Sequence, residues 1–366
     1  MRIGIPREIK AQEYRVGATP DCIEALTSDG HNVCVETGAG DGAGFADDDY
    51  TAVGGHITDT AGAWAADMVI KVKEPLAKEY DHFREGQLLF TYLHLAAVPE
   101  LAKALMEARV SALAYETIER EDGALPCLTP MSMIAGRLSV QEGAKYLERP
   151  FGGRGILLGG VPGVPRGRVT IVGGGVVGTE AARMAVGMGA RVTLLDVSPD
   201  RLAELDDQFR GRLLTLYSTP ANIARTMADS DLVIGAVLLP GARAPKLVKR
   251  EHLATMPRGA VLVDVAVDQG GCAETTRPTT HHDPVFEVDG VQHYCVANMP
   301  SAVSRTATQA LTAVTLPYAR KLASQGLLQA VAADRALRLG LNVHDGHIIH
   351  PAVATALGLP RRSIAA

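Results

Sequence analysis

The chain has 366 residues, 47% apolar and 21% charged, enough to bury more than one core and too apolar for a disordered chain. Its 36 lysines and arginines against 41 aspartates and glutamates give a formal charge of −5, which argues against nucleic acid or an anionic membrane as main partner. The five cysteines are odd in number and form no C-x-x-C pair, which argues against a disulfide framework or zinc knuckle and for a reducing, cytoplasmic setting; no apolar run approaches the roughly 18 residues of a membrane span.

Arg2–Ile5 reads as a strand, not a signal peptide, because no apolar h-region accompanies it. Strand-like runs recur at Asn32–Glu36, Met68–Val72, Leu88–Tyr92 and Ser111–Tyr115, with helical spacing over Pro20–Asp29 and Val98–Ala108. Strands alternating with helices predict an α/β fold with a mainly parallel sheet. Four residues along this stretch bear on chemistry. Arg15, in a short polar connection before Thr19-Pro20, is either solvated or a bidentate clamp for a carboxylate. Lys71 and Lys73, followed by Glu74 and Pro75, share a face at the end of an apolar run. They form either a solvated strand end or part of the crevice in which α/β sheets bind ligands. His94, closing another apolar run, is either a core histidine with satisfied nitrogens or a proton donor poised near neutral pH.

Phe151–Gly167, rich in glycine with Pro162 and Pro165, is a loop leading into a clearer pattern: strand Arg168–Val172, helix Val177–Met188, strand Arg191–Leu195. Gly173, Gly175 and Gly178 satisfy G-x-G-x-x-G at that strand-to-helix turn, and Asp196 closes the next strand eighteen residues after Gly178. Gly173 permits the turn, Gly175 lets a pyrophosphate approach the backbone at the helix N-terminus, and Gly178 lets the helix pack on the strand. Asp196 suits ribose hydroxyls and repels a 2′-phosphate, favouring NAD over NADP, with Arg201 as a second-line contact. The turn alone does not choose among NAD, FAD and adenosine.

Asp231–Ala236 and Ala260–Val265 continue the strands. Asp264 and Asp268 interrupt an aliphatic run, and Gly270 and Gly271 allow close backbone approach beside Asp268. Val296–Pro300 ends one more strand-like run. Helices are predicted over Ser304–Ser324 and Leu327–Leu339, then a polar tail. His344, His347 and His350 have a spacing that could suggest a metal, but they lie in a polar tail without a carboxylate arrangement to match, so no metal is expected.

A series of ordered motifs spans the chain: Arg2-Ile-Gly-Ile-Pro-Arg-Glu, Glu13-Tyr-Arg-Val, Lys71-Val-Lys-Glu-Pro, Tyr92-Leu-His-Leu-Ala, and Pro130-Met-Ser with Ala135-Gly-Arg. It continues with Gly159-Gly-Val-Pro-Gly-Val, Gly241-Ala-Arg-Ala-Pro-Lys-Leu-Val, Val263-Asp with Asp268-Gln-Gly-Gly-Cys, and Cys295-Val-Ala-Asn-Met-Pro. Together they resemble the NAD-dependent L-alanine dehydrogenase family. The resemblance implies reversible oxidative deamination of L-alanine to pyruvate and ammonium, with NAD as hydride acceptor. It implies that Arg15 and Lys73 bind the substrate carboxylate and carbonyl, that His94 is the acid/base, and that Asp268 is the second catalytic residue. Beside the three glycines, the implied dinucleotide site comprises Ser132, Val176, Val177, Asp196, Arg201, Ser218, Val237, Leu238, Val265, Ala266, Val267, Asp268, Arg277, Val296, Ala297, Asn298 and Met299.

The family further implies two Rossmann-like, doubly wound α/β domains with the active site in the cleft between them, and a homohexamer. Residues 1–128 with 305–366 are then the substrate domain and 129–304 the NAD domain. Two departures stand out. Met133 replaces a typical acidic residue, and Ser304 replaces a frequent proline, which is expected to loosen the second crossing between domains. Three rival readings exist: the soluble nucleotide domain of proton-pumping transhydrogenase, a saccharopine-type dehydrogenase, and a catalytically silent NAD sensor. The set Arg15, Lys73, His94 and Asp268 argues against the silent sensor, and Lys73 and His94 against the transhydrogenase domain.

Overall fold

Residues 1–237 and 244–363 are described by a computed structural model. The chain divides into two units, Met1–Met131 with Ser301–Ala366, and Ser132–Pro300. In the first unit, β1 (Arg2–Ile5), β2 (Asn32–Glu36), β3 (His56–Thr58), β4 (Met68–Ile70), β5 (Leu88–Thr91) and β6 (Ser111–Ala114) form a parallel sheet in the order β3-β2-β1-β4-β5-β6. The side-chain alternation of a strand splits its apolar residues between two cores. Ile3, Met68, Ile70, Phe90 and Leu113 join one core, while Val69, Leu89, Ala112 and Ala114 join the other. Burial on both faces explains why these strands read as unbroken apolar runs. Gly4 in β1 lies so close to helix Thr60–Trp64 that a Cβ there would sit 1.9 Å from the Ala63 carbonyl oxygen.

The second unit holds β7 (Arg168–Val172), β8 (Arg191–Asp196), β9 (Leu214–Tyr217), β10 (Leu232–Gly235), β11 (Val261–Asp264), β12 (Val285–Val288) and β13 (Val291–Tyr294). Their order is β9-β8-β7-β10-β11-β13-β12, all parallel except the β12–β13 hairpin. Helices Pro20–Ser28, Pro199–Phe209 and Pro220–Ala228 start the same way: a Thr or Ser caps the first turn and proline occupies its first position.

Both sheets reverse strand order once, between β1 and β4 and between β7 and β10. The connections leaving these neighbours go to opposite sides, opening a crevice beyond their carboxyl ends, where such sheets bind ligands.

The C-terminal segment differs from the sequence expectation. The helix predicted over Leu327–Leu339 is two helices, Leu327–Ala333 and Arg335–Gly340, because the Asp334 carboxylate accepts the Ala336 and Leu337 N–H groups (2.9 and 3.3 Å) and starts a new one. Part of the tail takes regular structure. Strands β14 (Leu341–His344) and β15 (His347–Ile348) extend the first sheet beyond β6, and helix Pro351–Leu357 follows. At the start of helix Ser304–Gln325, the Ser304 hydroxyl donates to the Gly42 carbonyl at 2.6 Å, a bond that proline could not make. Among the described residues no helix is long and apolar enough to cross a membrane.

Candidate active site

In the second unit the glycine motif forms the turn from β7 into helix Val176–Gly187. Gly173 adopts φ +106°, and a Cβ on Gly178 would stand 1.8 Å from the Gly173 carbonyl oxygen. Gly178→Ala must therefore push the helix off the strand. It should cost roughly 1–3 kcal/mol and weaken NADH binding, read by thermal melting and NADH fluorescence titration. No side-chain hydrogen bond caps this helix at Gly175, and a Cβ there would meet nothing within 4 Å, which leaves room beside its first turn. That is the arrangement an anion requires.

Half-buried Asp196, at the end of β8, braces the turn: Oδ2 accepts the Gly174 N–H at 2.6 Å and Oδ1 the Ser198 N–H at 2.9 Å. Arg201 braces it from the following helix, donating to the Gly174 carbonyl (2.8 Å) and the Thr179 hydroxyl (2.8 Å) and pairing with Glu204. Ser218 follows β9 and donates its N–H to the Asp196 carbonyl at 2.9 Å. Val237 follows β10 and closes on Gly173, while Val265–Asp268 follow β11 and Val296–Met299 follow β13. These candidates thus line one edge of the sheet, on both sides of its reversal point. Leu238 and the start of the motif Gly241–Val248 lie outside the described residues. Ser132 sits in helix Thr129–Tyr146, and Arg277 is held at the β12 edge, its guanidinium stacked 4.2 Å from the Phe286 ring centroid.

The two aspartates after β11 have different surroundings. Asp264 is fully buried and accepts from the Ala266 and Ala273 N–H groups (both 3.1 Å), the Thr276 hydroxyl (2.6 Å) and the Cys272 thiol (3.5 Å). It ties down the loop. Asp268 is exposed within that loop, in the turn Val267–Gln269 that Gly270 ends at φ +90°.

In the first unit the candidates gather beyond the carboxyl ends of β1, β4 and β5. Lys71 and Lys73 follow β4, and Glu8, just past β1, separates their fates. Glu8 accepts the Val72 N–H at 2.6 Å and the Lys71 ammonium at 3.1 Å, and Glu79 takes that ammonium at 2.9 Å. Lys71 is wholly buried, and although burial disfavours its charge, the two carboxylates outweigh that and raise its pKa. Lys73 has its backbone pinned, its N–H on Glu8 at 3.3 Å and its carbonyl accepting the Thr91 hydroxyl at 3.0 Å. Among the described residues its ammonium enters no ion pair. Burial, and next the Arg15 charge, push its pKa below the ordinary lysine value.

Arg15 is 2% exposed and gripped bidentately by Glu13, Nε to Oε1 at 2.7 Å and Nη2 to Oε2 at 2.6 Å, with Nη1 on the Met131 sulfur at 3.0 Å. Glu74 feels the charges of both Lys73 and His94. One of its carboxylate oxygens pairs with Lys10, and the other is buried without a hydrogen-bond partner. Burial raises Glu74, but Lys10, His94 and Lys73 together hold it below the usual carboxylate value. His94 follows β5 with left-handed backbone, φ +49°, its ring parallel to that of Tyr92 (5.9 Å, 7°) and its side chain 39% exposed. Arg15, Lys73 and His94 therefore share one neighbourhood, while Asp268 belongs to the other unit. A buried arginine beside an unpaired, desolvated lysine suits a carboxylate ligand, and an accessible imidazole suits proton exchange.

The chain matches the family description "Alanine dehydrogenase/PNT, N-terminal domain" over residues 4–135 and "Alanine dehydrogenase/PNT, C-terminal domain" over residues 139–351. It is 56% identical over 360 residues to an alanine dehydrogenase of Bacillus subtilis, covering 98% of this chain and 95% of that one. The chain belongs to the alanine dehydrogenase/PNT family. Among solved structures it matches an L-alanine dehydrogenase at 56% identity and TM-score 0.96, covering 98% of this chain and 99% of that one. It also matches a transhydrogenase from Sinorhizobium meliloti at 27% identity and TM-score 0.84, covering 96% and 100%. Within this alanine dehydrogenase/PNT chain, the supporting carboxylates Glu8, Glu13, Asp264 and, against the backbone of His94, Glu116 were not singled out as site residues from sequence. Two of them carry a local signal: Glu13 stands two residues before the arginine it grips, and Asp264 interrupts an aliphatic run.

Proposed function

We propose that the protein is an NAD-dependent L-alanine dehydrogenase catalysing L-alanine + NAD+ + water to pyruvate, ammonium, NADH and a proton, reversibly. The observation that carries this is the grouping of Arg15, Lys73 and His94 beyond the reversal point of the first sheet, in a chain of this family. The first unit is then the substrate domain and the second the NAD domain.

The residues fit a dinucleotide. The uncapped helix start at Val176 and Val177 would hold the pyrophosphate, and Asp196 has acceptor capacity beyond its two N–H partners for ribose hydroxyls. When bound, NAD accepts the α-hydrogen of the substrate as hydride. Arg15 and Lys73 hold the substrate carboxylate and so fix the orientation of the α-carbon. Asp268 orients the water that adds to the imine. His94 takes a proton as the carbinolamine collapses to ketone and ammonia, and returns it in reductive amination, where the protonated ring polarises the pyruvate carbonyl. The charge of Asp196 sets cofactor choice. Asp196→Asn keeps an acceptor for one of the two turn N–H groups and removes the repulsion of a 2′-phosphate, so the preference for NADH over NADPH should fall roughly tenfold or more in kcat/KM.

A cytoplasmic homohexamer without a membrane partner completes the reading, and sedimentation of the purified protein checks the assembly. The test of the reaction is stoichiometric: L-alanine and NAD should yield equimolar NADH and pyruvate, with none from L-lactate. NADH formed from L-lactate in place of L-alanine would overturn it.

A further inference from the structure

His94 must do two things that its backbone and surroundings do not favour. It holds a left-handed conformation uncommon for a residue with a Cβ, and it has to carry a positive charge transiently at a partly buried position. One side chain addresses both. Glu116, in the turn Tyr115–Thr117 after β6, places Oε1 2.7 Å from the His94 N–H and 3.1 Å from the Leu93 N–H. The same oxygen lies 4.0 Å from His94 Nδ1. Tyr92, whose hydroxyl donates to the Cys127 carbonyl at 2.6 Å, supports the ring from its face. We infer that Glu116 is a positioning residue for the acid/base: it latches the backbone of His94 and supplies the negative charge that steadies the imidazolium at Nδ1, leaving Nε2 for substrate. This rests on the alanine dehydrogenase reading.

The groups that face the His94 ring are Glu116, Glu74 from the segment after β4, and the Tyr92 phenol; Lys73 lies beyond Glu74 and His350 beyond Glu116. Of the two carboxylates, Glu74 also faces Lys10 and Lys73, and Glu116 is the one that both bonds the His94 backbone and lies 4.0 Å from its Nδ1. The geometry also separates latch from charge. Oε1 accepts both N–H groups and Oε2 adds only a longer bond from the Leu93 N–H at 3.3 Å, so Glu116→Gln keeps the Oε1 latch and deletes the charge, whereas Glu116→Ala deletes both.

The experiment measures kcat for alanine oxidation against pH in the wild type, E116Q and E116D, with NADH affinity and melting temperature as controls. Wild-type turnover tests the alanine dehydrogenase reading on its own, before any variant is compared. E116Q should bind NADH as the wild type does, keep the KM for alanine within about threefold, and lose roughly tenfold or more in kcat. The acid limb of its kcat profile should move to lower pH by about half to one unit, because an imidazolium without its anion releases its proton more readily. E116D, which keeps the charge, should keep the wild-type limb even where its shorter side chain lowers the rate. Wild-type kcat and pH limb in E116Q would overturn the inference, and so would a displaced limb in E116D.

Discussion

Replacing Lys73 by alanine should lower kcat/KM for pyruvate by roughly 10²–10³, because the substrate carboxylate loses a desolvated cation that orients the α-carbon. NADH affinity should stay unchanged. The fold should not suffer, because the ammonium of Lys73 enters no ion pair among the described residues and is opposed by both burial and Arg15. A melting temperature equal to the wild type or slightly higher is therefore expected alongside the lost activity. Steady-state kinetics and a thermal melt on the same preparation check both halves; near-wild-type turnover would remove Lys73 from the site.

Lys71→Ala should do the reverse. Its ammonium lies between Glu8 and Glu79 with no exposure, 5.8 Å from the Trp64 ring centroid. Deleting it leaves two buried carboxylates uncompensated, at a cost of about 3–5 kcal/mol. In a unit of this size that lowers the melting temperature by roughly 10 °C. Because Glu8 also holds the Val72 and Lys73 N–H groups, some activity should fall with it. The triple change Lys71→Met, Glu8→Gln, Glu79→Gln removes all three charges together and should recover much of the lost stability, since the penalty comes from the orphaned carboxylates. An unshifted melt for Lys71→Ala would contradict this division of labour.

This pair of lysines marks what the sequence could and could not tell. Alternating strand and helix signals and the G-x-G-x-x-G turn with Asp196 carry the α/β class, because these are local patterns. The choice between Lys71 and Lys73 was not local. It is made by Glu8, 63 residues away in the chain and brought alongside only because β1 and β4 are neighbours. Glu116 is hidden in the same way, 22 residues from His94 and adjacent only through β5 and β6. Asp264 and Asp268 look alike in the sequence, and only the loop that wraps back to Ala273 and Thr276 separates a buried anchor from an exposed carboxylate. The tail was misread because β14 and β15 have only four and two residues, too short for periodicity to register.

The most direct measurement is NADH oxidation by the purified protein with pyruvate, in the presence and absence of ammonium. Ammonium-dependent turnover, with L-alanine as product, is the predicted result. Tight NADH binding with no turnover even with ammonium would contradict the assignment and point to a nucleotide-binding domain of the transhydrogenase kind, and turnover that does not need ammonium would point to a 2-hydroxy-acid dehydrogenase.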